Sequence, residues 1–194
     1  MSDTQAPKSD HPKITGEDRL PGDLPPAELI ERMIRVDHAG EFGAVRIYEG
    51  QLAVLGKSPE GEVIRAMADA EADHLVIFEK LMIDRRVRPT ALSPLWNVVG
   101  YALGAATALI GPRAAMAATQ AIEEVIEEHY ADQAALLGED EKELRATIEK
   151  ARADEIGHRD TAVAHGAEQA PAYGLLTTAI KAGARGAIWL SERF

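Results

Sequence analysis

Apolar residues recur every three or four positions along most of the chain, which is the spacing of one face of an amphipathic helix. Proline and glycine interrupt this pattern at intervals, and the alternating runs that mark strands are scarce. The pattern therefore predicts an all-α protein. Its six predicted helices cover residues 26–55, 58–86, 94–110, 113–137, 140–165 and 173–192.

Four of the predicted helices are long enough to form a bundle by themselves, and the segments 94–110 and 173–192 are additional to it. We expect these six helices to form one domain over residues 23–194. Residues 1–22 combine Pro, Gly and mixed charge with no apolar run, and this composition predicts a disordered N-terminal arm. At the start of the second helix Ser58 is the predicted N-cap, because Pro59 suits the first helical position.

Each of the four long predicted helices carries an ionisable side chain within its apolar face. Burying a carboxylate among apolar residues is very costly unless the carboxylate is paired or binds a cation. The second and fifth helices each contain Glu-x-x-His, whose two residues share a helix face, and an in-phase Glu lies on the long helix before each pair. The six residues are Glu41, Glu71, His74, Glu123, Glu155 and His158.

The spacing of these residues places them at one height of a bundle. Glu41 lies 30 residues before Glu71, and Glu123 lies 32 residues before Glu155; both midpoints fall within predicted turns. Two packed helical hairpins would therefore bring four Glu and two His to one level, as in the dinuclear carboxylate sites of ferritin-like four-helix bundles. Such ligands suit iron or manganese, and four carboxylates balance the charge of two divalent ions.

The composition narrows the chemistry of this site. None of the 194 residues is Cys, so any metal must be held by carboxylate and imidazole groups rather than by thiolates. The chain has 32 acidic and 21 basic residues, which gives a formal charge of −11. This charge argues against a nucleic-acid partner, because domains that bind nucleic acid carry a basic stripe. The absence of a Gly-x-Gly-x-x-Gly fingerprint argues against an encoded nicotinamide-binding fold.

Parts of this assignment have competitors. A single Glu-x-x-His arises by chance on charged helices, and the second copy with its upstream Glu is what favours the dinuclear site. Glu127 is the strongest alternative to Glu123, since both lie in one acidic run. Tyr130 lies almost two turns beyond Glu123 and is either a core residue with a bonded hydroxyl or a redox or hydrogen-bonding group near the metals. Its neighbour His129 is a second candidate for such a position.

The sequence around these residues resembles the demethoxyubiquinone hydroxylase family of ubiquinone biosynthesis. The stretch 35–44, RVDHAGEFGA, looks like the hallmark first-helix motif of that family. The first Glu-x-x-His pair, the acidic segment that ends in His129-Tyr130, and the ending 188–193 (IWLSER) also match. The resemblance covers nearly all of residues 27–194.

The resemblance implies a di-iron monooxygenase with the six residues as ligands, in which Glu71 and Glu155 bridge two Fe ions. It implies that O2 hydroxylates the ring of a polyprenylated demethoxyubiquinol-type substrate (2-polyprenyl-3-methyl-6-methoxy-1,4-benzoquinol). Electrons would come from the quinol, from NADH or from a partner protein. One departure is visible: Gly157 and Arg159 flank His158, where the family is usually richer in acid and histidine. That departure concerns the surroundings of the ligand rather than the ligand.

Two segments bear on contact with a membrane. Segment 94–110 has no charge across 17 residues, which is short of the about 20 residues that a span needs. It is either a buried core helix or an interfacial or re-entrant helix anchored by Trp96 and Tyr101. Segment 173–192 combines apolar residues with three cations, as in a helix that lies on an anionic surface. The cations are Lys181, Arg185 and, just beyond the segment, Arg193.

The resemblance also implies partners and a location. It implies a peripheral protein at the cytoplasmic face of the inner (cell) membrane, in contact with other ubiquinone-biosynthesis proteins, and it allows a homodimer. Iron storage or peroxide removal by a ferritin- or rubrerythrin-like protein competes with this function, but rubredoxin-type cysteines are missing and an apolar segment 94–110 would serve no purpose in storage. A metal-free lipid-binding or scaffold protein would leave four inward Glu residues unpaired.

Overall fold

A computed structural model describes residues 22–194, which form six α-helices without a strand. The predicted all-α fold is therefore confirmed. The predicted disordered arm, apart from Gly22, lies outside the described residues. The helices are α1 (Pro26–Leu55), α2 (Gly61–Arg85), α3 (Ser93–Ile110), α4 (Pro112–Leu136), α5 (Lys142–Ala164) and α6 (Tyr173–Ser191).

Two helices begin later than the sequence predicts. α2 begins at Gly61 with Glu60 at its N-cap position, so the prediction of Ser58 as the N-cap is wrong. The hydroxyl of Ser58 donates to the Glu60 carboxylate at 2.9 Å, and it makes no bond to a backbone N–H of the helix. α5 begins at Lys142, because a short 3₁₀ turn over Glu139–Glu141 precedes it.

The helices form two equivalent sets of three. α1 and α2 make one hairpin and α4 and α5 make the other, while α3 and α6 each pack against both α1 and α4. α3 packs mainly against α1, and α6 packs mainly against α4. The Glu…Glu-x-x-His repeat of the sequence is thus a repeat of three helices, in which Glu41 and Glu123 are equivalent and lie 82 positions apart.

Two apolar clusters fill the bundle and leave a polar layer between them. One cluster includes Tyr48, Ile64, Met67 and Met116. The other includes Ile34, Phe78, Tyr130, Leu144 and Ile148. On α5 the buried residues recur three or four positions apart, as in an amphipathic helix, and on α2 the buried residue of the last turn is Met82.

Glycines allow α3 to cross α1 at close range. A Cβ atom on Gly104 would clash with the backbone oxygen of Ile47, and one on Gly50 would clash with the backbone oxygen of Tyr101. In each contact one helix has a glycine, which lets the backbone of the other helix come this close. This contact holds α3 flat against the outside of the bundle.

α3 is not a core helix, so that alternative is wrong. Only 22% of Ser93–Ile110 is buried, and Val98 and Leu109 are 64% and 75% exposed. Of the described helices, α3 alone meets the length and composition that crossing a membrane requires.

The cations of α6 and of the residues just after it lie in ion pairs within the chain. The pairs join Lys181 to Glu124, Arg185 to Glu128 and Arg193 to Glu192. These charges were expected to face an anionic surface, and the structure instead directs two of them to acidic residues of α4. α6 also exposes large apolar side chains, with Leu175 at 75% and Trp189 at 53% exposure.

Candidate metal centre

Six buried side chains converge in the polar layer between the two apolar clusters. The four Glu residues are at most 1% exposed, and the two His residues are at most 9% exposed. They are the six residues predicted from the sequence. One Glu comes from α1 and one from α4, while α2 and α5 each contribute a Glu and a His one turn apart. The structure brings all six together, and their role as ligands stays a prediction.

Their donor atoms form two overlapping groups, and within each group the atoms lie within 4.8 Å of one another. The first group is Glu41, Glu71, His74 and Glu155. The second group is Glu71, Glu123, Glu155 and His158. Glu71 and Glu155 belong to both groups, which is the position that two bridging carboxylates would occupy.

Each imidazole presents its Nδ1 atom to the cluster. Nδ1 of His74 lies 3.4 Å from Glu155 Oε1 and 3.6 Å from Glu41 Oε2. Nδ1 of His158 lies 2.7 Å from Glu71 Oε1. On the far side of His74, Nε2 lies 3.1 Å from the carboxylate of Asp154, which would accept the Nε2–H and leave the Nδ1 lone pair for a metal.

Eight donor atoms of the cluster have no hydrogen-bond partner. A buried polar atom without a partner costs about 1–3 kcal/mol, and a charged one costs more. The atoms are Oε2 of Glu41 and Glu123, both carboxylate oxygens of Glu71 and Glu155, and Nδ1 of His74 and His158. Two cations held by these oxygen and nitrogen atoms would satisfy the whole set, so the residues fit a dinuclear metal centre.

Protons take up part of the negative charge when cations are absent. Burial, together with repulsion from the other carboxylates, raises the pKa of Glu41 and Glu123 well above the usual range. Burial opposes ionisation of Glu155, but its contacts with His158 and His74 lower its pKa to about 2. Burial would lower the pKa of His158, but the carboxylates of Glu155 and Glu71 raise it to about 9. Divalent cations would displace these protons.

The structure combines the two alternatives for Tyr130. Its ring is buried and stacks on Phe78 with centroids 6.1 Å apart, as in a core residue. Its hydroxyl donates a hydrogen bond to Glu41, so it also bonds a member of the cluster. His129 touches none of the six residues, because its Nε2 lies instead 3.5 Å from the carboxylate of the buried Asp37.

Sequence reasoning missed the counterpart of Tyr130. Tyr48 lies 82 positions before it, and its hydroxyl donates to Glu123 Oε1 at 2.8 Å. Gln51 and Gln133, again 82 positions apart, bond Thr119 at 3.2 Å and Asp37 at 2.7 Å. Comparison of the two halves at this spacing is the signal that would have found them. Asp154 carries no such signal beyond its place next to Glu155.

Glu127 does not compete with Glu123 for a place in the cluster. Its carboxylate pairs with Arg152 at 3.3 Å and with Arg159 at 2.5 Å, so it bridges α4 to the outer face of α5. The ion pair with Glu127 also explains the position of Arg159, the residue beside His158 that departs from the family pattern. Its guanidinium faces Glu127 and Asp160 rather than the imidazole.

Comparison with known proteins assigns the family. A sequence profile of the family described as ubiquinone biosynthesis protein COQ7 matches residues 28–191. The chain belongs to this family. Among its COQ7 relatives, the 3-demethoxyubiquinol 3-hydroxylase of Rhodospirillum rubrum is 61% identical over 180 residues, which cover 92% of this chain and 85% of the relative.

Two mitochondrial COQ7 relatives are named NADPH-dependent 3-demethoxyubiquinone 3-hydroxylase. The one from Dictyostelium discoideum is 54% identical over 169 residues, covering 86% of this chain and 78% of the relative. The one from Homo sapiens is 54% identical over 168 residues, covering 84% of this chain and 77% of the relative. The resemblance that the first-helix motif indicated is confirmed, and these relatives give no support to iron storage or a metal-free scaffold.

Proposed function

We propose that the protein is a di-iron monooxygenase that uses O2 to hydroxylate the ring of a polyprenylated demethoxyubiquinol in ubiquinone biosynthesis. The observation that carries this proposal is the pair of buried donor groups that share Glu71 and Glu155. The substrate class follows from the names of the relatives, which are demethoxyubiquinol and demethoxyubiquinone hydroxylases.

In this proposal each iron has one terminal Glu and one His. Glu41 and His74 would hold one ion, and Glu123 and His158 the other, with Glu71 and Glu155 between them. Four carboxylates neutralise two divalent ions, so the filled site carries no net charge inside the apolar bundle. Iron bound there would supply the redox chemistry that activates O2.

A two-electron donor completes the reaction. Insertion of one oxygen atom into a ring C–H bond reduces the other atom of O2 to water, which takes two electrons and two protons. Of the donors that the sequence left open, a nicotinamide nucleotide is favoured because several relatives carry NADPH in their names. The described residues contain no strand, and so no nucleotide-binding sheet. The nucleotide would therefore dock directly on the helices.

The outer layer of helices suits a lipid surface. α3 and α6 expose apolar side chains, and a polyprenylated quinol partitions into the bilayer. Both helices lie on α1 and α4, the helices that carry Glu41 and Glu123. A substrate that leaves the lipid at this face would reach the site through the layer formed by α1 and α4. We place the protein peripherally at the cytoplasmic face of the inner membrane, and its contacts with other ubiquinone-biosynthesis proteins and a homodimer stay predictions of the family.

Replacing both Leu109 and Leu175 by Asp is expected to lower vesicle binding by at least about 100-fold, because each leucine contributes about 1.5–3 kcal/mol when buried in lipid. The measurement is co-sedimentation with vesicles of phosphatidylethanolamine and phosphatidylglycerol. Ile83→Asp is the control, since Ile83 is equally exposed, at 76%, but lies on α2. Equal loss for the control, or no loss for the double variant, would contradict this docking face.

Turnover with labelled oxygen tests the function. The iron-loaded protein receives a demethoxyubiquinol with a short isoprenoid tail, NADPH and ¹⁸O2, and the product is analysed by mass spectrometry. We expect one ¹⁸O atom in each hydroxylated ring and no product from zinc-loaded protein. A product without ¹⁸O, or oxygen consumption without any hydroxylated quinol, would contradict the assignment.

A further inference from the structure

In each half of the bundle a tyrosine donates a hydrogen bond to a Glu of the other half. Tyr48 lies seven residues after Glu41, and Tyr130 lies seven residues after Glu123, so each tyrosine is two helical turns from the Glu of its own helix. Neither tyrosine bonds that Glu. Tyr48 on α1 donates to Glu123 on α4 at 2.8 Å, and Tyr130 on α4 donates to Glu41 on α1.

Packing alone does not account for the hydroxyl of Tyr48. The side chain is 1% exposed, and its hydroxyl donates to the Glu123 carboxylate and lies 3.9 Å from the sulfur of Met67. A phenylalanine would fill the same apolar position without a buried hydroxyl that needs a partner. The hydroxyl therefore serves the carboxylate of Glu123.

The hydrogen bond makes the two oxygens of Glu123 unequal. Oε1 accepts from Tyr48, whereas Oε2 is buried without a partner. Glu123 belongs to the donor group around His158, so Oε2 is the oxygen left for a metal there. A free carboxylate can exchange its two oxygens by rotation about its last bond. A donor fixed by the core holds Oε1 away from the cluster, and this directs Oε2 toward it.

We propose that Tyr48 is a positioning residue that orients Glu123 to bind the metal ion it shares with His158. The inference rests on the proposed dinuclear site. It carries a consequence that sequence position does not suggest: a substitution in α1 weakens the metal position built by α4 and α5. By the same geometry, a substitution of Tyr130 in α4 weakens the position built by Glu41 and His74.

Anaerobic titration of the metal-free full chain with Fe²⁺ tests the proposal without turnover. The parent protein is expected to bind two ions per chain. Tyr48→Phe is expected to bind one ion with parent affinity and the other about 10–100-fold more weakly, the usual cost of losing a group that orients a metal ligand. Tyr101→Phe is the control, because Tyr101 lies on α3, outside the donor groups, and is 38% exposed. This variant is expected to match the parent.

Histidine variants identify which ion is weakened. In a His158→Ala background, where only the position with His74 remains intact, Tyr48→Phe is expected to change nothing. In a His74→Ala background, it is expected to weaken the remaining ion by the same 10–100-fold. The proposal would be overturned if Tyr48→Phe lowered the Fe²⁺ affinity only in the His158→Ala background, lowered it equally in both backgrounds, or lowered it in neither.

Folding is checked separately by circular dichroism of the metal-free proteins. A folded Tyr48→Phe protein with one weakened ion supports the positioning role. An unfolded one shows that Tyr48 is a structural residue and overturns it. A parent protein that fails to bind two ions contradicts the proposed dinuclear site itself, which is a different result from parent binding that Tyr48→Phe leaves unchanged.

Discussion

Glu155→Ala is expected to abolish hydroxylation, with a loss of at least about 100-fold, and to lower iron content from the expected two ions per chain to less than one. Glu155 belongs to both donor groups, so its removal takes one oxygen from each metal position. Its lowered pKa, about 2, means that a full negative charge is lost at neutral pH. Iron analysis after reconstitution and product formation by chromatography are the measurements.

Glu128→Ala is the control for this prediction. Glu128 lies five residues beyond Glu123 on α4, is exposed, and pairs with Arg185 on α6. An exposed ion pair contributes about 0–1 kcal/mol, so this variant is expected to keep its iron and its turnover. Equal losses in the two variants would mean that the wrong face of the bundle has been assigned to the metals.

The metal cluster was predictable because the sequence itself shows carboxylates within apolar helix faces, where burial is unfavourable without a partner. A Glu in an apolar stripe needs a partner, and the spacing of helix faces and turns put six such residues at one height. The orientation of each ligand was not predictable in the same way. It depends on contacts between helices, such as Tyr48 with Glu123, that join residues 75 positions apart.

The outer helices show where sequence patterns were insufficient. An uncharged segment fits a core helix or a surface helix equally well, and only the packing of α3 against one side of α1 decides between them. Lys181 and Arg185 looked like a basic face, because the acidic residues that neutralise them are more than 50 positions away on α4. The N-cap at Ser58 failed for a local reason: a turn precedes the helix, in which the N–H of Gly61 bonds the backbone oxygen of Ser58 at 3.0 Å, and the Ser58 hydroxyl oxygen accepts no backbone N–H.

Gly104→Ala is expected to destabilise the protein by about 3 kcal/mol, although alanine is the better helix former. Its Cβ atom would overlap the backbone oxygen of Ile47, and a backbone atom cannot move aside as a flexible side chain can. α3 would have to separate from α1 along their contact. The measurement is urea denaturation followed by circular dichroism, with thermal unfolding expected to shift down by about 6–12 °C.

Gly183→Ala is the control, and it is expected to change the stability in the opposite direction. Gly183 is exposed at mid-helix in α6, and a Cβ atom there meets nothing within 4 Å. Alanine is therefore expected to stabilise the protein by about 0.5–1 kcal/mol through helix propensity alone. If both variants stabilise the protein, α3 does not lie against α1 at backbone distance. The apolar face that we assign to the membrane would then lack its anchor on the helix that carries Glu41.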